Sequence, residues 1–191
     1  MNLTEGLNVL RPEQLWVSDI TYIRLTCRWG YLSLITDAYS RKIMGYSFRT
    51  DLTAQGCLDA LEMALNARQH RESSVIHHSD RGCQYCSKAY VDMLVANKIS
   101  ISMTENGDPY ENAIAERING IIKTEFSLHY SEVSYEDTYE HIHRSIKAYN
   151  ALRPHSSCDY LTPDNAHMKT GVLKKRWKNY RKDTVKQNKQ Q

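Results

Sequence analysis

The sequence predicts an α/β domain in which helices flank a mixed five-stranded sheet. Three strand-like segments follow one another near the N-terminus, and two shorter ones alternate with helices further along the chain. The predicted order of elements is βββαβαβαα. The first three strands form an antiparallel meander, and the order as a whole favours a mixed sheet covered by helices.

The segment Trp16–Phe48 carries the first three strands. It is rich in Tyr, Ile, Leu and Thr, which strands favour, and it is interrupted at Arg28–Gly30 and at Ser40–Lys42. The expected strands cover residues 15–26, 31–38 and 42–49.

The middle of the chain alternates helices with short strands. Apolar residues recur at helical spacing from Thr53 to Arg68, with Thr53 at the N-cap position. A buried strand is expected at 74–79, after which Ser87 caps a second helix. The segment Ile99–Met103 alternates with period two, as a strand does.

The C-terminal half is predicted to be helical. The segment Asn106–Pro109 is a strong turn signal, and it separates the last strand from a helix at about 110–126. Another helix is expected at about 135–150. Its apolar stripe consists of Tyr135, Tyr139, Ile142, Ile146 and Tyr149.

The composition restricts the class of protein. The chain has 191 residues, of which 41% are hydrophobic and 25% charged, so one packed domain with a tail is expected rather than a disordered chain. No run of 18 apolar residues occurs, so no membrane partner is expected. Five cysteines at irregular spacing are typical of a reducing compartment, which indicates a cytoplasmic location.

Charge is unevenly distributed along the chain. Residues 169–191 contain nine Lys or Arg and one Asp, a balance of +8, and the remainder has 16 basic and 21 acidic residues, a balance of −5. An acidic body with a basic tail fits a protein that holds a polyanion beside an anionic site, although a solvated tail explains the charge equally well. The expected organisation is a lead-in (1–11), a core (12–166) and a basic tail (167–191).

Three carboxylates stand where an unpaired charge is costly. Asp19 lies within an apolar strand, Asp80 ends the fourth strand, and Glu116 lies in a helix among alanines. The 35 residues between Asp80 and Glu116 suffice for a helix, a strand and a loop that return the chain to the same edge of the sheet. Carboxylates that converge usually bind a divalent metal. Asp37 is assigned to a hairpin turn with an Asx-type hydrogen bond instead.

Four motifs occur in order along the chain. They are Trp16–Tyr22, His78–Tyr85, Asn106–Ala113 leading to Glu116, and a closing set of Tyr149-Asn150, Arg153-Pro154-His155 and Leu161-Thr162-Pro163. Together they resemble the bacterial insertion-sequence transposases that are closest to retroviral integrases. The resemblance extends over about residues 12–166.

The resemblance implies an RNase H-like fold with Asp19, Asp80 and Glu116 as the catalytic triad and as the ligands of two Mg²⁺ or Mn²⁺ ions. It implies DNA strand cleavage followed by strand transfer, with insertion-sequence ends and target DNA as partners and a homo-oligomer on that DNA, nucleoid-associated when active. Two ions suit an in-line displacement at phosphorus, and hard oxygen ligands favour Mg²⁺ over zinc.

Contacts with DNA phosphates are expected from the third motif, the closing signature and the tail. Asn112, Asn119 and Lys123 follow the spacing of Glu116 on one helix face and give a polar stripe. The other candidates are basic residues, namely Arg153, Lys174, Lys175 and Arg176.

Cys83 and Cys86 depart from the family's usual small polar residues. With His77 and His78 nearby they suggest zinc, but no second cysteine pair follows at zinc-site spacing. We therefore expect buried free thiols.

Three functional interpretations of the chain remain open. Only 18 residues precede Asp19, where the family usually has helix-turn-helix segments, so a catalytic domain or a C-terminal fragment of a transposase is expected. A structure-guided nuclease on the same fold would need a further carboxylate near the chain end, where Asp159 and Asp164 are available. A non-catalytic fragment that binds DNA or full-length transposase is the third possibility.

Overall fold

A computed structural model describes residues 1–105, 112–128 and 133–176. Its elements are β1 (Leu15–Arg24), β2 (Trp29–Asp37), β3 (Ile43–Arg49), α1 (Ala54–Ala67), β4 (Val75–Ser79), α2 (Lys88–Ala96), β5 (Ile99–Met103), α3 (Ala113–Glu125), α4 (Tyr135–Leu152) and α5 (Pro163–His167). The predicted order is confirmed, and α5 is an additional element. Among the helices of the described residues, none has the length and hydropathy of a transmembrane segment.

The five strands form one mixed sheet in the order β3-β2-β1-β4-β5. β1, β2 and β3 pair antiparallel, whereas β4 pairs in parallel with both β1 and β5. The register of β1 and β4 aligns Val17 with His78, so two residues further along Asp19 comes level with Asp80. The antiparallel meander and the mixed five-stranded sheet are therefore confirmed.

Helices cover both faces of the sheet. On one face α3 and α4 pack against the meander in a cluster that includes Ile23, Leu32, Phe48, Ile122 and Ile142. On the other face α1 and α2 pack in a cluster that includes Trp16, Ile35, Leu61, Tyr90 and Leu94. The two clusters together bury most of the large apolar side chains.

α1 lies directly on β3 because Gly45 has no side chain. A Cβ at this position would stand 2.1 Å from the Ala60 carbonyl oxygen and 2.7 Å from the Ala64 nitrogen. Any larger residue therefore pushes the helix off the sheet.

Helix starts were predicted well, but two details differ. Ser87 caps α2 by accepting a hydrogen bond from the Tyr90 amide, as expected. Thr53 occupies the N-cap position of α1 without a capping hydrogen bond, because its hydroxyl bonds to Asp51 instead. α3 begins at Ala113, and the expected turn at 106–109 lies outside the described residues.

The apolar stripe predicted for α4 is wrong at Tyr139, which is 46% exposed. Tyr135 donates a hydrogen bond from its hydroxyl to the Phe48 carbonyl oxygen (2.8 Å), and its ring stacks on that of Phe48. Tyr139 is left beside Tyr135 at the surface, and Thr138 and Ser145 are buried in its place.

The lead-in and the described part of the tail both pack on the core. The Met103 amide donates to the Met1 carbonyl oxygen (3.2 Å), which extends the edge of β5. The Gly171 amide donates to the Leu10 carbonyl oxygen (2.7 Å), and the Arg176 amide donates to that of Ser156 (2.7 Å). Residues up to 176 are thus fixed by backbone hydrogen bonds.

Two buried carboxylates share one imidazole where the lead-in, β2 and α5 meet. The Nε2 atom of His167 lies 3.6 Å from Glu13 Oε1, and its Nδ1 atom lies 3.7 Å from Asp37 Oδ1. Asp37 also accepts hydrogen bonds from the Ser40 amide (2.8 Å) and hydroxyl (2.7 Å), which confirms the expected Asx-type turn. We call these residues the Glu13–His167–Asp37 cluster.

The cluster shifts the pKa values of Glu13 and His167 in opposite directions. Burial raises the pKa of Glu13, but the nearby imidazole of His167 and the hydrogen bonds from the Gln69 and His70 amides outweigh it and lower the pKa to about 2. Burial lowers the pKa of His167, but Asp37 and Glu13 outweigh it and raise the pKa overall. The imidazolium form is therefore stabilised by folding.

Replacing the shared imidazole should destabilise the fold in a pH-dependent way. We expect His167→Gln to lower the free energy of unfolding by about 3–5 kcal/mol at pH 6, because the buried Asp37 carboxylate loses the imidazolium and Glu13 keeps Arg68 (3.4 Å) but loses its second cation. A raised folded pKa gives stability that is complete below the unfolded pKa and is lost as the pH rises through the folded value, so the loss should be smaller at pH 9. Urea denaturation measures both.

Lys169→Gln is the matched control, since Lys169 is exposed and follows α5 directly. It should change the unfolding free energy by no more than about 0.5 kcal/mol. An equal loss for His167→Gln at both pH values would show that the imidazolium charge is not what stabilises the cluster.

Candidate active site

Asp19 lies near the middle of β1, on the sheet face that α3 covers. It is half-buried, and its Oδ1 atom accepts a hydrogen bond from the Ile20 amide (2.9 Å). Its Oδ2 atom accepts a second one from Asn119 Nδ2 of α3 (2.8 Å). The carboxylate is thus held in one orientation by a strand and a helix.

Asp80 follows β4 directly and opens a turn. Its Oδ1 atom accepts a hydrogen bond from the Gly82 amide (2.9 Å), and Arg81 Nε donates to the Thr104 carbonyl oxygen (2.7 Å), which ties the turn to the end of β5. Asp19 and Asp80 line the same cavity, of about 170 Å³, together with Ile20, Tyr22, Leu52, Gln84 and Tyr85. The parallel pairing of β1 and β4 therefore brings the first two predicted carboxylates together.

Glu116 lies in the first turn of α3, not in the middle of the helix as expected. Its side chain is exposed, as is that of Asp80, so only Asp19 fits the expectation of a partly buried carboxylate. The alanine that precedes Glu116 allows the close helix packing that was expected of a small residue. Ala115 is buried against Leu15 and Val17, which lets α3 approach β1 closely.

The three carboxylates repel one another through space. Burial is the largest cause that raises the pKa of Asp19 to about 6, and the charges of Asp80 and Glu116 raise it further, against the lowering effect of the Asn119 and Ile20 hydrogen bonds. No three His, Cys, Asp or Glu side chains within the described ranges are close enough to hold a metal ion together. The donor set itself, all carboxylate oxygens in mutual repulsion, fits a hard divalent cation.

The predicted polar stripe on α3 is turned partly inward. Asn112 and Asn119 are both buried, and Asn112 Nδ2 donates to the Ser18 carbonyl oxygen (3.0 Å) just as Asn119 donates to Asp19. These two side chains do not face solvent as the polar stripe implied, because β1 supplies an acceptor to each, the Ser18 carbonyl oxygen and the Asp19 carboxylate. Lys123 is half-buried on the same face as Glu116.

The other predicted phosphate ligands lie away from the Asp19 cavity. Arg153 donates two hydrogen bonds of 2.6 Å to the Glu125 carboxylate. Lys174, Lys175 and Arg176 are exposed beside the turn that follows α4, where the Asp159 amide donates to the Lys174 carbonyl oxygen (3.0 Å). The structure therefore separates the basic candidates from the three carboxylates.

Cys83 and Cys86 are exposed, so the expectation of buried thiols is wrong. They lie on the turn between β4 and α2, where the buried ring of Tyr85 occupies the inner side. His77 and His78 face elsewhere. His77 contacts Ser18 (2.7 Å) and Tyr90 (2.9 Å), and burial, followed by His78, lowers the pKa of His77 to about 3.

Sequence reasoning missed the positioning role of Asn112 and Asn119. Their spacing relative to Glu116 was visible, but a polar residue at the border of a helix's buried face gives no sign of whether it bonds to the sheet or to solvent. Within the described ranges their Oδ1 atoms have no hydrogen-bond partner, so the described residues hold each amide through its Nδ2 group alone.

Neutralising Asp19 should stabilise the metal-free protein above pH 6. The raised folded pKa means that ionised Asp19 opposes folding, a cost that is absent below pH 4 and complete above pH 6. In a chelating buffer at pH 8 we expect Asp19→Asn to raise the free energy of unfolding by about 1–2 kcal/mol after allowance for partial exposure. At pH 4 we expect no gain.

Asp92→Asn is the control, because Asp92 is an exposed carboxylate that pairs with Lys88 on α2. It should leave stability nearly unchanged at both pH values. The same gain for Asp19→Asn at pH 4 and pH 8 would mean that the ionised carboxylate is not the source.

Comparisons with known proteins identify the family of the chain. The protein-family description "integrase core domain" matches residues 10–109, and a second one of the same description matches residues 97–163. The chain is 38% identical over 154 residues to the transposase InsF for insertion sequence IS3A of Escherichia coli, covering 80% of this chain and 53% of that protein. It is 40% identical over 118 residues to a putative transposase for IS986/IS6110 of Mycobacterium tuberculosis, covering 60% and 42%.

Solved structures confirm the RNase H-like fold. The catalytic core domain of HTLV-2 integrase in complex with magnesium is similar with a TM-score of 0.65 at 19% identity, covering 85% of this chain and 100% of that one. A chain of the simian T-cell lymphotropic virus intasome gives 0.72 at 18% identity, covering 91% and 61%. The chain spans about half the length of the curated relatives it matches. By fold and by sequence, the chain belongs to the integrase core domain family.

Proposed function

We propose that the chain is the catalytic domain of a DDE transposase, which cleaves DNA strands and joins them to a target with Mg²⁺ or Mn²⁺. The observation that carries this proposal is that Asp19 of β1 and Asp80 at the end of β4 line one cavity, and that Glu116 of α3 is near enough for its charge to raise the pKa of Asp19. The relatives that are named as transposases for insertion sequences, and the HTLV-2 core solved with magnesium, support it.

The proposed reaction is a displacement at phosphorus by an oxygen nucleophile. Water attacks in cleavage and a DNA 3′-hydroxyl attacks in strand transfer; a new P–O bond forms as the old one breaks. Two divalent ions, when bound, stabilise the attacking and leaving oxygens. Asp19, Asp80 and Glu116 would hold them. Because the nucleophile is not a side chain, the exposed thiols of Cys83 and Cys86 need take no part.

The neighbouring residues keep the carboxylates in place. The Ile20 amide and Asn119 fix Asp19 from both sides, and the Gly82 amide fixes Asp80. Asn112 anchors the start of α3, and with it Glu116, to the Ser18 carbonyl oxygen. Pre-ordered ligands of this kind reduce the cost of assembling a metal site.

DNA contacts are proposed for the basic residues. Lys123 lies nearly two turns beyond Glu116 on the same face of α3, where a phosphate beside the scissile bond would be within reach. Arg153 and the tail residues Lys174, Lys175 and Arg176 add sequence-independent attraction through counterion release. Assembly of more than one copy on DNA is proposed because joining two ends requires two sites, and the HTLV-2 core was solved in dimeric and trimeric forms.

The nuclease alternative is not favoured by the position of the late carboxylates. Asp159 forms an ion pair with Arg176, and Asp164 lies 3.0 Å from Lys42 Nζ. Neither lines the cavity of Asp19 and Asp80. Among the described residues, neither of these late carboxylates is therefore in place to act as the further carboxylate of a structure-guided nuclease.

Loss of any one carboxylate should abolish the chemistry. We expect Asp19→Asn, Asp80→Asn and Glu116→Gln each to reduce metal-dependent strand transfer by roughly 10³-fold or more, and a double variant to be no worse, since the three act as one unit. The assay is the joining of pre-cut duplex ends to a plasmid in Mg²⁺ or Mn²⁺. Asp92→Asn should retain activity. Activity near that of the wild type in any one of the three would show that the triad is misassigned, and an inactive wild type would favour a non-catalytic fragment.

Divalent ions should stabilise the native state by binding it preferentially. At an ion concentration about 100 times Kd the expected gain is about 2.7 kcal/mol, or a rise in Tm of roughly 5–10 °C for a domain of this size. The triple variant Asp19→Asn/Asp80→Asn/Glu116→Gln should melt higher than the wild type without metal and show no rise on its addition. Differential scanning calorimetry measures both; an unchanged wild-type Tm at ion concentrations that support strand transfer contradicts a site at these carboxylates.

A further inference from the structure

A basic groove lies on the other flank of α3, between this helix and the turn that follows α4. Its volume is about 540 Å³. Its basic residues are Arg41, Arg117 and Arg153, and its walls include Ile114, His155 and Ser157. Arg117 follows Glu116 in the chain but lies about 100° further around the helix, so the groove is separated from the carboxylate face.

The positive charge of the groove is not balanced by the residues around it. Arg153 is paired with Glu125 through two hydrogen bonds of 2.6 Å. Arg41 has a buried Nη1 atom with no hydrogen-bond partner among the residues that the structure describes. Arg117 is exposed and forms no hydrogen bond or ion pair within the described part of the chain. Three guanidinium groups thus share one carboxylate.

The backbone holds Arg41 in place. Its φ angle is 68°, in the left-handed region, at the end of the turn that Asp37 organises. Its amide donates to the Asp37 carbonyl oxygen (2.9 Å), and its own carbonyl oxygen accepts from the Tyr149 hydroxyl (2.8 Å). The backbone that carries the Arg41 guanidinium is therefore fixed by two hydrogen bonds.

The groove continues toward the basic tail. A second cavity of about 340 Å³ shares Arg41, Ile114 and Ser157 with it and is also lined by Lys175. The Arg176 amide bonds to the Ser156 carbonyl oxygen, which keeps this part of the tail alongside the groove. Four basic residues therefore line two adjoining cavities: Arg117, Arg153, Arg41 and Lys175.

His155 reports on the charge of the groove. Its ring lies 3.4 Å from Arg153 Nη1 and packs edge-on against Tyr149. Burial lowers the pKa of His155 to about 4, and the charges of Arg153, Arg41 and Arg117 contribute to the lowering, against a raising effect from Glu125. The imidazole is neutral at pH 7 and does not add to the positive charge.

We propose that Arg41 and Arg117, supported by the field of Arg153, bind a phosphate group of the DNA backbone at a site separate from Asp19, Asp80 and Glu116. Planar guanidinium groups match phosphate oxygens with paired N–H donors, and a phosphate would satisfy the buried Nη1 of Arg41. Arg153 keeps its bond to Glu125 and acts through its charge. The identification of the phosphate as part of DNA rests on the proposed function. The anion site itself is argued from the arginine residues and does not depend on that function.

The first experiment tests the anion site without DNA or metal. Sulfate is the probe, because it keeps the tetrahedral shape and double charge of a phosphate across the titration of His155. We expect sulfate, compared with chloride at equal ionic strength, to raise the pKa of His155 by about 0.5 or more in histidine NMR of the whole chain, because it offsets the charge of the arginines. The resonance is assigned with His155→Gln.

Arg41→Gln and Arg117→Gln should each raise the pKa of His155 without sulfate and remove the response to sulfate. Arg144→Gln is the matched control, an exposed arginine on α4 that does not line the groove. Unchanged sulfate responses in both groove variants, or no response in the wild type, overturn the proposal. Because Arg117 is exposed on a helix, its variant keeps the test decisive even where Arg41→Gln perturbs the turn.

The second experiment measures duplex DNA binding at several salt concentrations in the presence of a chelator. The slope of log K against log salt should decrease by about one in Arg117→Gln and by about two in the double variant, and remain unchanged in Arg144→Gln. Slopes equal to that of the control, with sulfate binding lost, overturn DNA as the occupant. A wild type that binds sulfate but no DNA overturns the proposed function and leaves the anion site standing.

Discussion

The hydrogen bond from Asn119 to Asp19 joins the helix that carries Glu116 to the strand at the centre of the sheet. Together with the bond from Asn112 to the Ser18 carbonyl oxygen, it fixes α3 on β1 at two points seven residues apart. The parallel pairing of β1 with β4 then brings Asp80 level with Asp19. The arrangement of the candidate site therefore depends on β1, which accepts the two asparagine hydrogen bonds from the α3 segment and pairs with β4.

The environments of Glu13 and Asp19 shift the pKa values of the two carboxylates in opposite directions. Glu13 is fully buried, yet His167 and two backbone amides hold its pKa at about 2. Asp19 is only half-buried, yet its pKa rises to about 6, because burial and two further carboxylates outweigh its hydrogen bonds. The uncompensated charge at Asp19 supports the proposal that this site binds a ligand of opposite charge.

The sequence was sufficient where local rules decide. The strand Ile99–Met103 was predicted with its observed bounds because its alternation and flanking turns are local, and Ser87 was recognised as a cap for the same reason. The Glu13–His167–Asp37 cluster was missed, since its members are far apart in the chain and each alone is unremarkable. Cys83 and Cys86 were assigned to the interior from residue type alone, whereas the backbone turn after Asp80 directs Tyr85 inward and leaves them outside. The sequence did not show which way these side chains face, because contacts between distant segments of the chain determine their orientation.

α3 presents opposite charges on two flanks. The helix therefore fixes the position of the basic groove relative to the carboxylates. Glu116 and Arg117 are consecutive residues of one helix, so the carboxylate centre and the basic groove are held at a distance set by helix geometry and not by a flexible loop. A phosphate bound at Arg117 and a scissile phosphate beside Glu116 would therefore be fixed relative to each other by the same rigid element. Binding energy gained in the groove would then orient the reacting strand, because reorienting it would require α3 to move off β1, against both asparagine hydrogen bonds.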